Sequence, residues 1–121
     1  MNILLRIDGS NDQEHLFFDP CSLGRGILTN LGLSWEQDFE PLLNEENKLS
    51  PNNAQVFLNV LDNIQVPIKT LQELESMGRS VNETNTIELW HQYDENYKQE
   101  FVRFLELAIN ENKYISYNEI S

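Results

Sequence analysis

Residues 86–111 constrain this chain more than any other stretch. Trp90, Tyr93, Tyr97, Phe101, Phe104, Leu105, Ala108 and Ile109 recur at steps of three and four. Glu88, Gln92, Glu95, Gln99, Arg103, Glu106 and Asn110 form a polar stripe at the same spacing on the opposite side. Two stripes in antiphase are what a half-buried amphipathic helix requires. At 1.5 Å per residue it spans about 39 Å. The expected buried side chains are Trp90, Tyr97, Phe101, Phe104 and Ala108. A helix this long and aromatic needs a core to lie on, and the rest of the chain must supply it.

Ile3, Leu5 and Ile7 alternate with Asn2, Arg6 and Asp8, the pattern of a strand over 2–8. The turn formers Asp8-Gly9-Ser10-Asn11-Asp12 follow, and His15-Leu16-Phe17-Phe18 reads as a second strand that stops at Asp19-Pro20. A hairpin with a loop of about five residues is the natural assembly. Gly24, Gly26 and Gly32 surround Ile27–Leu31, a turn or two of helix. Ser34 is placed to cap a short helical segment from Trp35 to Leu43, interrupted at Pro41. Ser50-Pro51 is a helix start, a capping residue followed by proline at the first helical position. The expected apolar face of that helix is Val56, Phe57, Val60, Leu61 and Ile64. Val66-Pro67 ends it, and Pro67 opens the next helix with Ile68, Leu71, Leu74 and Met77 inward and Gly78 at its C-terminus. The tail Lys113-Tyr114-Ile115-Ser116-Tyr117 adds a strand or frays. At 121 residues the chain has the size of one domain, 1–121. The predicted fold class is α+β: mostly helical, with a small antiparallel β element from an N-terminal hairpin and a long amphipathic helix near the C-terminus.

The charge is lopsided. Eight Lys and Arg face twenty Asp and Glu, a net charge of −12. Residues 48–82 are neutral, and the excess lies on either side of them. It is densest at 36–46, where Glu36, Asp38, Glu40, Glu45 and Glu46 meet no intervening base. Binding to nucleic-acid phosphates or to an anionic membrane surface needs clustered cations, so neither is expected. No run approaches the roughly 18 apolar residues of a membrane span. Met1–Asp8 lacks the basic leader of a signal peptide. The expected location is the cytoplasm.

Catalytic and metal chemistry find little support. His15, His91 and Cys21 are the nitrogen and sulfur ligands, and no two stand at ligand spacing. Asp8-x-Ser10-x-Asp12 opens like a calcium loop but has Gln13 where glycine is needed. No Gly-x-Ser-x-Gly elbow is present, and Cys21 is expected to be structural. Gly24-Arg25-Gly26 lacks the third small residue of a dinucleotide fingerprint, since Thr29 stands there. No enzyme activity, cofactor, metal or small-molecule substrate is therefore expected.

What remains is binding to another protein. A dense negative face attracts a basic partner at long range, and aromatic anchors then supply affinity. Trp35 and Phe39 lie among Glu36, Asp38 and Glu40, so Trp35, Glu36, Asp38, Phe39, Glu40, Glu45 and Glu46 are the candidate contact. Whether Trp35 belongs to core or interface stays open. Glu88, Glu95 and Glu106 are secondary candidates. In size, acidity, lack of catalytic motifs and the pattern Leu89-Trp90-His91-Gln92-Tyr93 … Phe101-Val102-Arg103-Phe104-Leu105-Glu106, the chain resembles bacterial immunity proteins. Those proteins neutralise a cognate toxin of contact-dependent growth inhibition or another polymorphic-toxin system. The resemblance is one of class and carries over neither a fold nor a binding residue. It implies a chain that binds a basic toxin domain and occludes its active or substrate-binding site. The alternative is an acidic nucleic-acid mimic or phage-type inhibitor of a DNA-binding protein. For that role the stripe Glu88, Glu95, Glu106 is sparse and is interrupted by Arg103.

Overall fold

The computed structural model describes residues 2–9, 16–19 and 27–120. Strand β1 (Asn2–Ile7) turns Ile3, Leu5 and Ile7 into the core, as its alternation predicts. It pairs antiparallel with β2 (Leu16–Asp19), with Leu5 opposite Phe17. The expected hairpin therefore forms, although its connecting residues 10–15 lie outside the described residues. The other neighbour of β1 is the C-terminal strand β4 (Ile115–Ile120), with Leu5 opposite Tyr117 and Ile7 opposite Ile115. A two-residue strand β3 (Lys48–Leu49) pairs with the far side of β4. The antiparallel sheet thus runs β2-β1-β4-β3. The tail is a strand at the centre of the sheet, which decides between the two outcomes left open for it.

Helix α1 (Ile27–Asn30) is a single turn that buries Leu28. Trp35–Phe39 forms a π-type turn, and Glu40–Leu42 a 3-10 turn with Pro41 in its first positions. Helix α2 (Pro51–Asn63) begins where Ser50-Pro51 places it: the Ser50 hydroxyl accepts from the Asn53 N–H at 3.1 Å. Its buried face differs from expectation. Ala54, Phe57, Leu58 and Leu61 point inward, while Val56 is 45% exposed and Val60 and Ile64 are half-buried. The helix lies against α4, and its face is set by that contact, with the small Ala54 fully buried.

Helix α3 (Leu71–Ser76) starts four residues later than Pro67 suggests. Thr70 and Glu73 form a reciprocal capping box, which satisfies the first free N–H groups there. Ile68 and Leu71 consequently lie outside, and Leu74 alone of that helix is buried. Gly78, at a φ of +79°, closes the helix: its N–H donates to Glu75 O, and that of Arg79 to Leu74 O.

Helix α4 spans Thr86–Glu111, 26 residues with the predicted bounds. Tyr97, Phe101, Phe104, Leu105 and Ala108 are buried. Trp90 is only half-buried, and Tyr93 is 49% exposed, because this end of α4 faces the irregular segment after α2, where His91 meets the Val66 carbonyl and Lys98 the Ile64 carbonyl. Asn112, in the left-handed region at a φ of 54°, ends α4 and turns the chain back into β4. Phe39, Phe57 and Phe101, all fully buried, pack ring to ring at the centre of the core, with the Phe39 and Phe57 centroids 5.0 Å apart. Among the described residues no helix is long and apolar enough to cross a membrane.

Candidate functional site

The acidic stretch 36–46 is held on a stiff frame. Ser34 accepts from the Gln37 N–H at 3.2 Å, and its own N–H donates to the Asp38 carboxylate at 2.8 Å. Asp38 therefore belongs to the cap that starts the turn. Phe39 is fully buried and so is a core residue, not an exposed anchor. Trp35 leans the same way: its ring centroid lies 5.0 Å from that of Phe39 and 6.0 Å from that of Tyr117. Its indole N–H is buried without a hydrogen-bond partner.

Glu40 accepts from the Tyr117 hydroxyl at 3.2 Å, and Glu119 lies 3.3 Å from the same hydroxyl. Burial first, and then the two carboxylates, push the Tyr117 pKa above the ordinary tyrosine value. The phenol stays protonated and acts as a donor, which ties the acidic stretch to β4. Beyond Pro41, the Asn44 side chain accepts from the N–H groups of Glu46 and Lys48 at 2.9 and 3.0 Å. With Asn47 at a φ of 60°, it fixes the turn that presents Glu45 and Glu46 to solvent. Glu36, Glu45 and Glu46 are exposed, and among the described residues they enter no ion pair. The seven candidate residues thus divide. Three project outward, Asp38 and Glu40 brace the frame, and Trp35 and Phe39 pack inward.

The secondary candidates do not converge. Glu88 and Glu106 are exposed but stand 18 residues apart on α4, about 27 Å along its axis. Glu95 lies 3.8 Å from His91 Nε2, which is itself 3.2 Å from the Val66 carbonyl. Among the described residues no group of three or more His, Cys, Asp or Glu could hold a metal ion. His15, Cys21 and Gly24-Arg25-Gly26 lie outside the described residues, as do Ser10 and Asp12.

One charged cluster was not anticipated. Asp94, 1% exposed, takes a bidentate pair from Arg79 at 2.7 and 3.1 Å and an ion pair from Lys69 at 3.3 Å. Lys69 also donates to the Asn30 carbonyl at 2.6 Å. The Arg79 guanidinium covers the Trp90 ring, 4.5 Å from its centroid, and the Trp90 N–H donates to Ser80 O at 2.7 Å. These contacts pin the segment around α3 onto α4. The signal was present in the sequence: Asp94 sits on the apolar stripe, between Trp90 and Tyr97. Lys48, the third cation of the neutral segment 48–82, pairs with Asp8 at 2.7 Å.

Comparison of the chain with protein-family models, with curated proteins and with solved structures gave no match.

Proposed function

We propose that this protein binds and occludes a basic protein partner, in the manner of an immunity protein against a toxin domain. The observation that carries the reading is the posture of the acidic stretch: Glu36, Glu45 and Glu46 stand outward on a braced frame, free of internal ion pairs among the described residues. Of the cations in the next segment, Lys69 and Arg79 are committed to Asp94, while Lys48 forms its ion pair with Asp8 and only neighbours Glu46. Fixed, uncompensated carboxylates steer a basic surface during encounter and raise the on-rate. That attraction fades with salt, since the Debye length is about 8 Å at physiological ionic strength.

The test begins with affinity capture from the native host and identification of the bound protein by mass. Association is then measured for the wild type and for the triple variant Glu36→Gln, Glu45→Gln, Glu46→Gln. Asp38 and Glu40 are left intact because they brace the turn. The variant should associate more slowly at low salt and approach wild type at high salt. Equal rates under both conditions remove this face from the interface. Stoichiometric suppression of the partner's toxic activity by the purified chain separates immunity from simple binding.

A further inference from the structure

Strand β4 is paired along its whole length on one side only. Towards β1 its pairing runs from Ile115 to Ile120, whereas β3 meets it at Ile115 and Ser116 alone. The Asp8 N–H donates to Tyr114 O at 2.9 Å in the same register. The even-numbered residues of β4 therefore direct their backbone groups at β1, and the odd-numbered ones direct theirs away from it. The outward Tyr117 N–H finds Asn47 O at 3.0 Å. There the chain leaves the edge, because the Asn47 N–H turns to Asn44 O at 3.0 Å, at a φ of 60°. The Tyr117 carbonyl and the N–H and carbonyl of Glu119 thus face outward, with no strand paired to them among the described residues. Asn118 and Glu119 are exposed.

The charge beside this open edge has one sign. Alternation puts Glu119 on the same face of the sheet as Tyr117. The Tyr117 hydroxyl has a single proton for the carboxylates of Glu40 and Glu119, 3.2 and 3.3 Å away, so one of the two is left wanting a donor. The cations of the described sheet do not supply it. Arg6 and Lys48 both stand opposite Ser116, on the other face, where Lys48 pairs with Asp8 at 2.7 Å. An open strand edge is complementary to an extended chain, which adds as a further strand through main-chain hydrogen bonds. Resting on the basic partner proposed above, we propose that an extended segment of that partner adds antiparallel to β4 at residues 117–119, with a lysine or arginine opposite Glu119. Backbone pairing then supplies the affinity, and the unshared carboxylate selects a base.

The test has two arms. In the free protein, the Glu119 N–H should exchange with solvent faster than the Asn118 N–H, which points at β1; the reverse order closes the edge and overturns the proposal. The second arm titrates a blocked peptide, acetyl-Lys-Val-Lys-Val-Lys-amide, into the isotope-labelled protein and follows amide chemical shifts. Shifts should centre on Tyr117 and Glu119, and the same peptide methylated on every backbone nitrogen should produce none there. Glu119→Gln should weaken binding about threefold at low salt. Glu119→Pro, which also deletes the outward N–H but no bond to β1, should weaken it about tenfold, with thermal midpoints confirming that both variants fold. Equal loss in the two variants, equal binding of the methylated peptide, or no shift at Tyr117 and Glu119 up to millimolar peptide overturns the proposal. Neither arm uses the captured partner, so its failure is separable from failure of the association test on Glu36, Glu45 and Glu46.

Discussion

Asp94 is a polar side chain whose loss should cost as much as that of a core aromatic. Its carboxylate is buried, and Arg79 and Lys69, 9% and 10% exposed, have it as their common acid. Asp94→Ala leaves two buried cations without their counter-charge, and breaking a buried pair from one side costs about 3–5 kcal/mol. Urea denaturation should show that loss. Replacing Asp94, Arg79 and Lys69 together by Leu, Met and Met should restore much of it, because no charge then stays buried. Asp8 governs the acid side. Burial opposes its ionisation, but hydrogen bonds from Lys48 and Ser116 outweigh that and hold its pKa below the usual value. The stabilisation is complete above the ordinary aspartate pKa of about 3.9 and is lost as pH falls through the lower folded value. Asp8→Asn should therefore flatten the acid limb of stability against pH. Tyr117 works in the opposite sense, since its folded pKa is raised by burial and by Glu40 and Glu119. Its contribution is complete below about pH 10 and disappears at higher pH, so Tyr117→Phe should flatten the alkaline limb.

Among the elements, α4 should respond to substitution according to depth. Phe101→Ala or Phe104→Ala should each cost about 3–5 kcal/mol, while half-exposed Tyr93→Ala should cost under about 1 kcal/mol. Denaturation midpoints read the contrast directly, and a similar cost at all three positions would mean that the helix face is misplaced. The bounds of α4 were legible because its two stripes reinforce one another over the whole length. Its interior Asp94 was not, because a carboxylate on an apolar stripe is costly until Arg79 and Lys69 arrive from another element. The start of α2 was legible in Ser50-Pro51, but its face was not. Val56, Val60 and Ile64 recur at helical spacing as well as Ala54, Leu58 and Leu61 do, and only the close approach of α4 chooses between them. Thr70 and Glu73 spell the capping box of α3, but Pro67 suits a first helical position equally well, and sequence alone does not choose between the two starts. The candidate site was half legible. Acids at 36–46 read the same in sequence whether they brace or project, and Trp35 and Phe39 read the same whether they point in or out.

For the molecule as a whole, the decisive arrangement is a sheet whose centre joins residues 2–7 to residues 115–120. Strand β4 is the shared neighbour of β1 and β3, so its removal leaves only the β1–β2 pair. A chain ending at Asn112 should lose cooperative thermal unfolding by circular dichroism. A sharp transition near the full-length midpoint would show that helices alone sustain the core. The same closure keeps the acidic turn in place, because Tyr117 of β4 donates both its hydroxyl to Glu40 and its backbone N–H to Asn47. Loosening β4 should thus weaken association with a basic partner even though no outward carboxylate changes. Tyr117→Phe, which deletes the hydroxyl alone, should lower the association rate modestly at low salt.

The pairing of β1 with β4 also sets a clock on biosynthesis. Asp8 and Ser116, joined by a hydrogen bond in the folded protein, are 108 residues apart. At about 5–20 residues per second, β1 waits roughly 5–20 s on the ribosome for the strand that will sit beside it. During that interval Ile3, Leu5 and Ile7 have a hairpin partner at most, and a two-stranded ribbon is marginal in water. Nascent chains arrested short of Ile115 should therefore be cleaved readily by protease and held by chaperones. Chains arrested only after Ile120 has cleared the exit tunnel should become resistant, as β4 then locks β1 in place.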